Sequence, residues 1–442
     1  MEFILRPSLC RRSAIAAVVV LWNQKDIRCH ISNYQWSSDI NKKAQWRFIE
    51  DKIIKNILTL PATQFAKQSL LDLVQLIGFH IFQWKEFHLF LNINLPDPFC
   101  WTPYGTIDAK KTAEKLLKDE SLSFGDRFRL ACVYCIDSYI YSLWPQVQRY
   151  FTEKLIEKFI VDESAEVIFW TFYLEGEMNK LMLLTEYVGN KNAFEYGLQK
   201  SCTNTWAVKY FVSKINEERK TKIIFNCAKH IVTNHWNRKT DTLILFLSYM
   251  NGNQQEEFFN LSAYGVLECF LLWPWQEFFM DIINTVWNSL SEIEYYNLLE
   301  DVAHKISEFN RSHIYIQTFQ ELWNNTAQSY KNYIITKCYN GTYLSRLFMI
   351  KNTDPMIKLI LHDATPEEKH RMIFYVEGPS ICCFLYREKR LESLKMLIKE
   401  CIQSDEIMTN FKEIYQAHTQ VCPYPASSVE LNNFFLLLDS FL

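Results

Sequence analysis

Residues Leu361 to His370 read LHDATPEEKH, and this stretch decides how the chain folds. Thr365 stands where a helix begins. Pro366 at the first helical position has its φ already set and wastes no N–H, while Glu368 is placed to reach back to the threonine, the spacing of a capping box. The paired glutamates also favour the positive end of the helix dipole, and such a cap contributes ~1 kcal/mol. The stretch is therefore a turn that closes one helix and opens the next.

Ser291 with Glu294, and Asn253 with Glu256, suggest the same device in two other turns. The last apolar residues before the turns are Ile215, Met250, Leu290, Trp323, Leu361 and Ile402, separated by 35, 40, 33, 38 and 41 residues. Two helices and their turns fill such an interval, which falls within the ~33 to 47 residues of helix-turn-helix repeats. The expected fold is all-α, an α-solenoid-like stack of helix-turn-helix units, divergent and ankyrin-like or HEAT-like. Each unit would bury its apolar face against its neighbour.

At 442 residues the chain exceeds the size at which one core stops growing. With 10 glycines and 12 prolines, the apolar runs are rarely bounded by hairpin turns, which argues against an all-β or βαβ fold. Ile223, Ile224, Cys227, Ala228, Ile231 and Val232 share one helical face, with Lys222, Asn226, Lys229 and His230 off it. Segments 42–58, 64–92, 124–136 and 389–402 read likewise as helices.

The organisation expected is an N-terminal helical region over 1–92, a connector over 93–108, a helical-repeat region over 109–420 and a C-terminal capping helix over 421–442. Pro96, Pro98, Pro103 and Gly105 punctuate the connector alongside Phe99, Trp101 and Tyr104. Large rings are rare in flexible linkers, so this loop is expected to fold on itself and pack against the flanking helices, or to serve as a recognition surface. Pro423 and Pro425 introduce the last apolar run, Val429 to Leu442.

Composition excludes several function classes. A net charge of −3, from 47 basic and 50 acidic residues, gives no field for steering toward phosphate, so no nucleic acid is expected as a partner. Basic runs at Lys42 and Lys43, at Arg219, Lys220 and Lys222, and at Arg387, Lys389 and Arg390 read as solvated faces. The aromatic content of 15% reads as broad, ring-filled core stripes. Thirteen scattered cysteines fit a reducing compartment. Cys132 and Cys135 form a lone CxxC, read as core thiols. Cys227, His230 and His235 do not share a helical face, so no metal site is expected.

Arg6, Arg11 and Arg12 precede an apolar run from Ala14 to Trp22, read as a structural helix because no small-residue cleavage site follows it. A cytoplasmic location is expected, with the acceptor patterns at Asn260, Asn310, Asn324 and Asn340 then carrying no sugar. Leu261 to Ile283 is interrupted by Glu268, Glu277, Asp281 and Pro274, so no membrane span is expected.

Four stretches, Leu21 to Ile27 (LWNQKDI), Phe99 to Asp108 (FCWTPYGTID), Leu130 to Cys135 (LACVYC) and Trp273 to Gln276 (WPWQ), resemble an arthropod family of helical, ankyrin-like repeat proteins. The resemblance implies a helical fold and carries over no activity, ligand or catalytic residue. The chain departs from ankyrin repeats proper in lacking a TPLH-type turn and its glycines.

No nucleophile elbow, phosphate loop or HExxH helix occurs, and the neighbouring pairs Glu256–Glu257 and Glu367–Glu368 suit helix starts rather than acid–base work. No catalytic, cofactor-binding or metal residue is assigned. The function expected is a protein–protein interaction scaffold, with Phe99, Trp101, Tyr104, Trp273 and Trp275 as its candidate surface. The alternative is an enzyme or small-ligand-binding helical protein whose site follows no familiar motif.

Overall fold

The computed structural model describes residues 3, 7–34, 41–89, 99–150, 163–178, 192–234, 239–309, 313–337, 347–350, 352–375, 377–421 and 427–441. Arg6, Pro96, Pro98, His235, Asn310, Asn340, Pro423 and Pro425 lie outside them, as do the side chains of Lys42 and Lys43. The regular elements within them are helical, and the β pairing there is an isolated bridge between Trp101 and Ile107. The fold is all-α, and the chain divides into two units, Met1–Ser289 and Leu290–Leu442. That division falls inside the 109–420 region.

The first unit carries α1 (Leu9–Trp22), α2 (Lys25–Ser32), α3 (Asn41–Leu58), α4 (Gln64–Phe87), α5 (Ala109–Leu116), α6 (Phe124–Val133), α7 (Asp137–Tyr150), α8 (Ala165–Glu175), α9 (Ala193–Lys200), α10 (Thr205–Val212), α11 (Glu217–Thr233), α12 (Thr240–Tyr249), α13 (Gly252–Phe270) and α14 (Phe279–Val286). The second carries α15 (Glu292–Glu308), α16 (Ile314–Asn325), α17 (Gln328–Lys337), α18 (Asp354–Asp363), α19 (Pro366–Phe374), α20 (Glu377–Arg387), α21 (Leu391–Cys401), α22 (Asp405–Val421) and α23 (Ser428–Asp439). No described helix is long and apolar enough to cross a membrane.

The turns read from the sequence all precede a helix: Ile215 comes just before α11, Met250 before α13, Leu290 before α15, Trp323 before α17, Leu361 before α19 and Ile402 before α22. Thr365 closes its capping box, its N–H donating to Glu368 Oε2 at 2.8 Å and its Oγ1 accepting from Glu368 N at 3.3 Å. Ser291 and Glu294 do the same. The third box is a correction: it is made by Asn251 and Gln254, not by Asn253 and Glu256. Asn251 is the residue held extended before the helix, and Gln254, at the third helical position, supplies the same acceptor that a glutamate would.

Much of the packing in both units runs between near neighbours in sequence. In the first, α9 packs on α10 and α11, α10 on α12, and α11 on α12 and α13. In the second, α15 packs on α16 and α17, α16 on α18, and α19 on α20, α21 and α22. The face of α11 read from sequence, Ile223 to Val232, is the face that is buried. Polar side chains tie neighbouring layers together at one repeat interval. Thr205 meets Thr242 (2.6 Å, 37 residues on), the Trp323 indole donates to Asp363 (2.8 Å, 40 on) and Tyr330 donates to the Leu290 carbonyl (3.0 Å, 40 back).

Candidate functional site

The four stretches quoted above, scattered from Leu21 to Gln276, converge in the first unit on a single helix, α4. Leu73 to Gly78 is buried all round, the pattern of a helix enclosed by others rather than resting on a surface. At the end of α1, the Trp22 indole donates to the Val74 carbonyl at 3.2 Å and stacks on Trp46 at 5.7 Å. It fits because residue 78 is glycine, where a Cβ would stand 2.3 Å from Trp22 Cζ2. Glycine inside a helix costs ~1 kcal/mol relative to alanine, which the burial of an indole offsets.

Within the connector, the described residues 99–108 fold on themselves. Thr102 N–H donates to the Thr106 carbonyl at 2.9 Å, the two threonine hydroxyls meet at 2.7 Å, and Asp108 N–H donates to the Cys100 carbonyl at 2.8 Å. Gly105, at φ +75, turns the loop down toward α1 and α4, where a Cβ would meet Ile15 and Ile77 at 3.0 and 3.1 Å. Phe99 sets its ring edge-on to Trp84 of α4 at 5.2 Å. Asp108 then caps α5.

Tyr134, from the third stretch, donates its hydroxyl to His88 Nε2 at 2.9 Å, and His88 Nδ1–H donates to the Trp84 carbonyl at 2.6 Å. The Trp84 carbonyl takes the Nδ1 proton, and in the neutral ring that leaves Nε2 to accept from the Tyr134 hydroxyl. Burial pulls the His88 pKa down to about 4, and pushes the Tyr134 hydroxyl up.

The fourth stretch arrives from far along the chain. The Trp273 carbonyl bonds His80 of α4 at 3.2 Å, across 193 residues, and its ring lies 4.8 Å beneath the Arg11 guanidinium. Charges gather here from several elements: Asp72 and Glu277 act on Arg11, and Asp241 and Lys239 on His80. Burial lowers the pKa of both Arg11 and His80, and the carboxylates oppose it. The Trp275 indole donates to Asp241, and its ring stacks on Phe278 at 6.2 Å. The imidazole spends Nε2 on a backbone carbonyl, so this cluster acts as a clasp between α4 and the Trp273 segment.

Of the candidate surface residues, Phe99 is buried at 6% exposure and Trp273 at 7%, so both serve packing. Trp101, Tyr104 and Trp275 stay partly exposed. The structure seats both aromatic segments against α1 and α4. Sequence reasoning missed Gly78, His80 and His88. An isolated glycine in a helical run at 78 was the available signal, whereas nothing local marks either histidine.

Cys132 and Cys135 are buried, with Cys135 pushed up to about 12 by that burial. Cys227 is buried while His230, one turn on, is exposed. Among the described residues no group of His, Cys, Asp and Glu could hold a metal ion. Glu367 pairs with Arg371 and Glu368 with Thr365, so both serve their helix start.

No protein-family model and no curated protein matches the chain.

Proposed function

We propose that this chain is a protein-binding scaffold, its surface made by helix pairs stacked in a solenoid-like row and its activity one of recognition rather than catalysis. The observation that carries this reading is the tying of layers at one repeat interval. Asn204 reaches Glu166 38 residues back, Thr205 reaches Thr242 37 on, Trp323 reaches Asp363 40 on, and Arg390 reaches Asp354 36 back. Side chains meeting their counterparts one unit away is what nearest-neighbour stacking produces, and stacked units present long surfaces suited to another chain. The step from such packing to a binding role is by analogy with repeat folds.

Trp101, Tyr104 and Trp275 are the aromatic anchors this reading assigns to contact, since buried rings dominate the energy of protein interfaces. A cytoplasmic location and kinship with helical, ankyrin-like arthropod proteins belong to the same proposal. The test is affinity capture with the intact chain, against chains carrying Trp101→Ala or Trp275→Ala. A partner retained by the intact chain, confirmed by reciprocal capture and weakened by either substitution, is the expected result. Retention of no protein, with turnover of a small molecule instead, would overturn it.

A further inference from the structure

In the second unit a surface groove of about 310 Å³ opens between α18 and α21, lined by Asp354, Lys358, Glu392, Ser393, Lys395, Met396 and Lys399. Its floor is built rather than incidental. Arg390 donates to Asp354 at 2.9 Å and to the Phe348 and Ile350 carbonyls at 3.0 and 2.9 Å, and Ser393, itself buried, donates to Asp354 at 2.8 Å. With Asp354 neutralised by Arg390 and Glu392 balancing one lysine, the groove keeps an excess of two positive charges. The neighbouring Glu400 is occupied by Lys369.

We propose that this groove binds an extended acidic segment of a partner protein. Lys395 and Lys399 stand one turn apart on α21, a rise of ~6 Å, and alternate side chains on one face of an extended peptide recur every ~6.6 Å. Two carboxylates at alternate positions therefore come at the spacing of the two lysine positions, and Lys358 of α18 lines the same groove. Sites for small molecules are mostly apolar and enclosed. Here the groove is open to solvent and five of its seven lining residues are ionisable, their aliphatic stems supplying the apolar surface with Met396, which suits a charged, partly solvated chain instead. The inference rests on the scaffold reading and names the chemistry of its partner.

Fluorescence anisotropy with a short fluorescein-labelled peptide of alternating Glu and Ser tests it. The peptide binds the intact chain, more weakly as salt rises because exposed pairs are screened beyond ~8 Å. Its affinity falls at least about tenfold with Lys358→Glu, Lys395→Glu and Lys399→Glu combined, since opposed charges become like charges. The milder Lys-to-Gln triple, with circular dichroism unchanged, gives a smaller loss of the same sign. Equal binding by both triples, no binding by the intact chain, or equal binding of a Lys–Ser peptide or of a single-stranded oligouridine would overturn the proposal. If a captured partner stays on the triple variants while the peptide fails to bind, the groove assignment falls and the scaffold reading stands.

Discussion

The two units hold themselves together differently. In the second, side-chain ties join residues one repeat apart, as from Tyr330 to Leu290 and from Ser380 to His418, 40 and 38 residues away. In the first, such ties are present, but His80 also meets Trp273 across 193 residues, and the Phe3 ring lies 5.2 Å from that of Phe270. A stack of near neighbours can be extended or shortened by whole units, because each layer depends on the next. A bundle gathered around one helix cannot. The first unit thus carries a constraint that a reading of the fold as a plain row leaves out, and its long-range contacts entail the slower closure that distant pairings impose.

The largest expected effect lies at that central helix. Trp22→Ala removes an indole that is 1% exposed, stacked on Trp46 and bonded to α4, and should destabilise the first unit by about 3–5 kcal/mol. Denaturant unfolding, with hydrogen exchange followed in α1 and α4, measures it. A cost near that of an exposed substitution would remove the contrast between the units.

Acid sharpens the comparison next. His88 is neutral in the fold, with its pKa drawn down to about 4, so the unfolded chain takes up the proton first as pH falls. Stability is complete above about pH 6.5 and is lost between there and about 4, by about 3 kcal/mol. Burial moves His80 in the same direction. In the second unit His418 shifts likewise, but it is less enclosed, and its share should be smaller. His88→Asn should flatten the pH profile of the first unit, and a slope left unchanged would place the acid sensitivity elsewhere.

Smaller effects belong to the second unit. Tyr295→Phe takes away a buried hydroxyl bonded to Thr326 and to the Leu322 carbonyl, at a cost of about 1–1.5 kcal/mol. Thr365→Ala opens the capping box of α19 and should cost ~1 kcal/mol. Thermal scans on the two variants check the order, and a Thr365→Ala loss exceeding that at Trp22 would reverse the ranking of the units.

What could be read from the sequence was the local part. Capping residues act within four positions, so Thr365 and Ser291 announced their helices. The third box slipped by two residues because Asn251 and Asn253 offer the same cap chemistry, and only the backbone decides between them. The aromatic loop at 99–108 was legible as a folded connector, since proline and large rings constrain a short chain whatever its neighbours do. Burial of Phe99 and Trp273 was not, because it depends on α1 and α4 arriving from elsewhere. Arg390 shows the same limit: read as part of a solvated face, it is held by Asp354 and two carbonyls from 36 to 42 residues back.

Gly78 leaves a notch in α4, and the Trp22 ring occupies it as a tongue does a mortise. Two smooth helices can creep along one another in small sliding steps. A ring let into the neighbouring backbone forbids that, since a shift along the axis would carry it out of the notch toward the side chains one turn away, at Val74 or Phe82. Any loosening of α1 must therefore proceed by its lifting away from α4 whole, an all-or-none departure and not a gradual slip.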